Sequence, residues 1–234
     1  MKGLRYILIA FCLCSVSAYA QTQKIRHQPY GDQKLYHFGI TVGMNFQDII
    51  FTNNGHINPD GSVWHATIPS YSPGFTVGLL GDLWLNPYMN LRFTPTLNFG
   101  DKQVEFVSEN TGAHYKTAVK SNYLNIPLDI KFRSRRLNNY RPYLLAGVYT
   151  AFDLGRNKGE AMLLKPQDYG VTLGIGCDFY LPIIKVAPEL RFSFGLKDII
   201  EQDTKDVTDH SLLPYRRSVS KGLTRMVSLV FNFE

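Results

Sequence analysis

From His37 to Asn45 the chain alternates with a period of two: Phe38, Ile40, Val42 and Met44 fall on one side, and His37, Gly39, Thr41, Gly43 and Asn45 on the other. Successive side chains of a β-strand point to opposite faces, so this stretch predicts a strand with one apolar face and one small or polar face. Seven further segments carry the pattern, namely Phe75–Leu85, Leu91–Gly100, Leu124–Phe132, Tyr143–Phe152, Val171–Tyr180, Val186–Leu196 and Val227–Phe233. In the third, Leu91, Phe93, Pro95, Leu97 and Phe99 stand opposite Arg92, Thr94, Thr96, Asn98 and Gly100; the segment from Phe75 continues less cleanly through Leu83 to Leu85, and Tyr143–Phe152 alternates poorly. A soluble antiparallel sandwich also has one buried and one wet face. Here the second face is rich in Gly and Thr, which suits the crowded interior of a small barrel. Aromatic residues make up 13% of the chain and collect at strand ends, with Trp84, Tyr88, Tyr123, Tyr143 and Tyr180 placed where a membrane-interface girdle is expected. The predicted fold is all-β, an eight-stranded antiparallel transmembrane up-and-down β-barrel.

The first twenty residues agree with that placement. Lys2 and Arg5 precede an apolar run from Tyr6 to Val16 that ends in Ala18-Tyr19-Ala20, the pattern of a cleaved secretory signal peptide. The run is shorter than the roughly 20 residues a membrane-spanning helix needs, and no later segment supplies one. The expected organisation is a signal peptide at 1–20, a periplasmic N-terminal segment at 21–34 and an outer-membrane barrel domain at 35–234. The gaps between strands alternate in length. Long ones fall at about Phe46–Ser72, Asp101–Lys120, Asp153–Asp168 and Lys197–Lys221, and short ones near Asn86-Pro87-Tyr88, Ser134–Tyr140 and Leu181–Lys185. Long outer loops, short periplasmic turns and both termini on the periplasmic side are what an even-stranded barrel of the outer membrane requires. Pro95, Pro127, Pro142 and Pro188 fall inside proposed strands, where they cannot donate to the ladder; they mark bulges near the periplasmic rim or errors in the strand limits.

Several chemistries are disfavoured by composition. Cleavage would remove Cys12 and Cys14 and leave Cys177 alone, too few for an internal disulfide or a Cys-rich metal site. The net charge of +6 is dispersed along the chain, which gives no footprint for nucleic acid. The six histidines include His56, His65, His114 and His210 on the expected outer loops, but none has metal-ligand spacing. No Ser/His pair is marked out as a nucleophile and base. Gly174-Ile175-Gly176 lacks the third glycine and the helix of a dinucleotide fingerprint. No catalytic, metal or cofactor residue is therefore expected, and no small-molecule substrate.

Two polar groupings stand out. Arg92, Asp129, Lys131, Asp178, Glu189 and Arg191 all project inward on the predicted strands, and charges inside a narrow barrel persist only when paired. They form either a structural salt-bridge plug or a path for protons or ions. Arg133, Arg135, Arg136 and Arg141 cluster around the periplasmic turn between the fourth and fifth strands. They either lie solvated beside anionic head groups or contact a periplasmic partner.

Four blocks resemble the PorT/SprT family of Bacteroidetes outer-membrane proteins: Asp32 to Asn45 with its His-Phe-Gly opening, Tyr123 to Phe132, Arg141 to Val148, and Asp168-Tyr169-Gly170 through Pro188-Glu189-Leu190-Arg191 to Leu196. The resemblance implies a component of the type IX secretion system, partnered by outer-membrane lipid and other secretion-system components. It supplies no catalytic residues. Two other functions fit the same barrel: an adhesin or ligand-binding protein acting through its outer loops, and a lipid-modifying or proteolytic barrel enzyme.

Overall fold

The computed structural model describes residues 27–29, 31, 34–55, 63–67, 72–108, 112, 114–120, 122–155, 164–200 and 218–234. The expected signal peptide, His56 and His210 lie outside them. Twelve strands run in chain order: β1 (Tyr36–Asn53), β2 (Trp64–Thr67), β3 (Pro73–Asn86), β4 (Met89–Phe93), β5 (Thr96–Phe99), β6 (Asp101–Ser108), β7 (His114–Lys120), β8 (Tyr123–Arg133), β9 (Tyr140–Asp153), β10 (Gln167–Tyr180), β11 (Lys185–Gly195) and β12 (Val219–Phe233). Nine of them form one antiparallel sheet ordered β1-β12-β11-β10-β9-β8-β4-β3-β5, and pairing of β1 with β3 closes it. β4 and β5 are two halves of one wall, both lying between β3 and β8, so the ring is an eight-stranded barrel.

Proline explains the broken wall. Pro95 has no N–H to give, yet its carbonyl still accepts from the Leu79 amide at 3.0 Å, so one side of the ladder survives. On the other side, pairing stops between Phe93↔Leu128 and Thr96↔Asn125, and Pro127 of β8 falls in the same gap. Two prolines thus share one interruption. Pro188 similarly coincides with a gap in the β10–β11 ladder between Gly176↔Glu189 and Phe179↔Val186, whereas Pro142 stays in register opposite Cys177.

Burial identifies the solvent on each side of the wall. Phe38, Leu79, Leu144, Val148, Leu173 and Ile175 stand exposed on the outside, while Thr41, Asn45, Thr76, Asn98, Thr172 and Asn232 are buried inside. A sandwich in water would do the opposite; an apolar exterior around a polar interior is the arrangement for lipid. The weak alternation of β9 has a specific cause. Its inward row carries Tyr143, Leu145, Tyr149 and Ala151, all buried, so both faces of that strand are apolar.

Three of the aromatics expected in the girdle are inside instead. Tyr143 and Tyr180 are buried because they share the inward parity of Leu145 and Asp178; Tyr123 also lines a luminal cavity. The exposed belt is formed by Phe38, Phe75, Phe93, Phe99, Phe132 and Tyr169, among others, with Tyr88 exposed at a turn.

The gaps expected to be loops hold more structure than the sequence suggested. β1 continues past Phe46 to Asn53, and β2, β6 and β7 form a separate three-stranded sheet, ordered β2-β6-β7, at the end away from the termini. A small apolar core sits there, with Val104, Phe106, Leu164, Ile199 and Ile200 packed against Ile49 of β1 and Val219 of β12. The Lys165 amide donates to Ile199 O at 2.7 Å and the Ile199 amide to Gly222 O at 3.0 Å, tying two outer connections to the barrel wall. A packed unit therefore stands at this end of the barrel.

Candidate functional site

The half of the lumen nearest the chain ends is filled by charge. Asp82 of β3, Arg92 of β4 and Asp129 of β8 lie directly opposite one another in register, which puts a cation between two carboxylates in one tier of the wall. The Arg92 guanidinium, 0% exposed, reaches Asp82 at 2.7 Å, Glu189 at 3.1 Å and Glu234 at 3.2 Å. Lys131 lies 2.8 Å from Asp178 and 3.9 Å from Asp82. Arg191 bridges Glu189 at 2.8 Å and Asp129 at 3.2 Å, and Lys185 pairs with Glu234. All six residues picked out from the sequence thus meet in one connected network. Three members were missed: Asp82, Lys185 and Glu234.

Tyr143 occupies the centre of this network. Its hydroxyl donates to Glu189 at 2.9 Å, its ring lies 4.0 Å from the Lys131 ammonium, and the Arg92 guanidinium carbon is 5.4 Å from the ring centroid. The ring fits because position 176 is glycine. A Cβ there would stand 2.4 Å from the Tyr143 ring, a distance no packed pair tolerates. Asn90 donates to Asp82 and Thr172 to Asp129, so the carboxylates are satisfied by neutral donors as well as cations.

Such a network is stable only as a whole. Each buried ion loses several kcal/mol of hydration, and mutual attraction offsets that only where geometry and additional hydrogen bonds are good. The carboxylates and cations here are committed to each other, and the side chains of Arg92, Asp82, Glu189 and Asp178 have no exposed surface.

Above the charges the interior is polar but neutral. Thr41 donates to Asn232 Oδ1 at 2.7 Å, Asn45 to Thr76 at 2.9 Å, and Thr76 to Asn98 at 2.8 Å. Higher still lies a cavity of ≈ 40 Å³ lined by residues that include Asn125, Tyr149, Asp168, Ser193 and Thr224. It is large enough for water and too small for an organic substrate. Asp168 in its wall accepts from the Thr224 hydroxyl.

The arginines around the β8–β9 turn divide by role. Arg133 and Arg141 are buried; Arg133 donates to Asn86 O at 3.2 Å, and Arg141 to Ser134 O at 2.7 Å and Pro87 O at 2.5 Å, so both hold neighbouring turns together. Arg136 donates to the carbonyls of His27 and Gln28 and stacks 3.6 Å over the Tyr180 ring, which clamps the N-terminal segment across the rim. Arg135 is exposed. Of the histidines on the outer side, His65 lies in β2 and His114 sits 3.0 Å from Glu105 at the start of β7. Among the described residues no three His, Cys, Asp or Glu side chains converge as a metal site would require.

A family model described as outer membrane protein beta-barrel domain matches residues 19–201. Among solved structures, the chain is similar to Neisserial surface protein A, at 9% identity over 85% of this chain and 98% of that one, with a TM-score of 0.44. It is also similar to OprG from Pseudomonas aeruginosa, at 15% identity over 84% and 94%, with a TM-score of 0.47. A third likeness is to Ail, the attachment invasion locus protein of Yersinia pestis, at 10% identity over 84% and 96%, with a TM-score of 0.35. No curated protein matches the sequence.

Proposed function

The chain belongs to the outer membrane protein beta-barrel domain family and is an integral barrel of the outer membrane, and on that premise we propose that it is a non-catalytic component of the type IX secretion system. Its role is accessory: it helps assemble or stabilise the export machinery through its rims, in contact with other secretion-system components. The observation that carries this reading is the filled lumen. An eight-stranded barrel is just wide enough to be packed by its own side chains, and this one is packed by a buried ion-pair network under a folded cap, so cargo cannot pass through it. The PorT/SprT resemblance of the opening strand and of the Pro188-Glu189-Leu190-Arg191 block supports the choice of system.

A strain lacking the gene is expected to lose type IX cargo from the medium while precursors accumulate in the periplasm. Unchanged extracellular protein would overturn the proposal. A second reading is favoured by the outer cap, whose sheet and apolar core present an ordered surface. If that surface binds a host or environmental ligand, exchanging the β6–β7 hairpin alters adhesion while export stays intact.

A further inference from the structure

The turn that joins β10 to β11 is Leu181-Pro182-Ile183-Ile184. Turns are ordinarily built from Gly, Asn, Asp, Ser and Pro, which satisfy the backbone and face water without loss. Here Ile183 is 89% exposed at the tip, with Leu181 and Ile184 exposed beside it; Leu137 is exposed on the β8–β9 turn. The tip lies beyond the barrel ladder. Tyr180↔Lys185 is the last pair of this hairpin, and Lys185 exchanges backbone hydrogen bonds with Glu234, so the turn runs past the level at which β12 ends. At about 3.3 Å per extended residue, Ile183 stands at most roughly 7 Å past that last pair.

The tip is held in place. The Leu181 amide donates to Ile184 O at 3.0 Å, the Tyr180 amide donates to Asn139 O on the neighbouring turn at 2.8 Å, and Gln28 Nε2 donates to Leu181 O at 3.0 Å. Among the described residues of this turn and the adjoining β8–β9 turn the exposed charged side chain is Arg135, while Asp82, Asp178 and the Glu234 side chain are all withdrawn into the lumen. An apolar centre with an arginine at its edge is the make-up of a protein interface, and it complements an apolar pocket bordered by carboxylates.

We propose that the Leu181–Ile184 turn, with Leu137 and Arg135, is the docking surface for a periplasmic protein that offers an apolar pocket edged by acidic side chains. This rests on the reading of the barrel as an export component and names the face through which it acts. The test places a photoreactive phenylalanine analogue at position 183 of the full chain in living cells and compares export by Ile183→Glu, Leu137→Glu and Arg135→Glu variants. The expected result is one discrete protein adduct, weakened roughly tenfold or more when Arg135→Glu is added, as loss of an anchoring contact does. Ile183→Glu then reduces export while the amount of folded, heat-modifiable barrel is unchanged. Adducts to lipid alone, no adduct, or an adduct indifferent to Arg135→Glu would overturn the docking surface. Normal export by Ile183→Glu in a strain where gene deletion stops export removes the docking surface alone; normal export after deletion removes the secretion role itself.

Discussion

Replacing Arg92 with alanine is expected to lower the unfolding free energy of the barrel by about 3–5 kcal/mol, the usual cost of removing one partner from a buried ion cluster. The guanidinium touches Asp82, Glu189 and Glu234 in a site without solvent exposure; on its loss Glu189 keeps Arg191 and Glu234 keeps Lys185, while Asp82 is left with Lys131 at 3.9 Å as its nearest cation. Urea titration of the purified protein in lipid vesicles, followed by the heat-modifiable shift in gel mobility, measures the effect. Adding Asp82→Asn to the alanine variant is expected to restore part of the loss, because the least compensated of the three carboxylates is then neutral. A change below about 1 kcal/mol, the range of exposed ion pairs, would mean that the lumen is wetter than its packing implies.

Phe106→Ala is expected to open the outer cap without opening the barrel. Phe106 is fully buried among Val104, Leu164, Ile199 and Ile200, and truncating a buried phenylalanine costs about 3–5 kcal/mol. The cap has its own sheet, β2-β6-β7, with no strand shared with the barrel ladder. Protease added to intact cells is expected to cut the β6–β7 hairpin of the variant much faster than that of the wild type, while the gel shift of the barrel persists. Loss of the shift in the same variant would show that cap and barrel fold as one unit.

What could be read from the sequence was whatever repeats with a fixed period. Seven of the eight walls declare themselves because lipid on one side and packed polar groups on the other impose opposite demands on alternate residues, as in Phe38 to Met44 against Thr41 and Asn45. β9 is obscure because its lumen face holds Tyr143 and Leu145 in place of small polar residues. The luminal charges Arg92, Asp129 and Glu189 were legible because each falls on the polar face of a clean alternation. Asp82 sits where the second strand's pattern decays, and Lys185 and Glu234 sit at strand limits, where parity has too few neighbours to be read. The cap could not be deduced at all, since its core joins Ile49, Phe106, Leu164 and Val219 from four distant stretches. The roles of Arg133, Arg136 and Arg141 escaped for a similar reason: their acceptors are carbonyls of other turns and of the N-terminal segment, and backbone acceptors leave no mark in a sequence.

The account turns on a barrel that is closed from within, because a closed barrel must serve export through its rims. The most direct measurement is the ionic current carried by the purified wild-type protein after insertion into planar lipid bilayers. Membranes that contain folded, heat-modifiable protein are expected to pass no stepwise current. A reproducible open-state conductance from the wild-type chain would contradict it, placing a continuous water path where the Arg92, Lys131 and Arg191 pairs are held to stand.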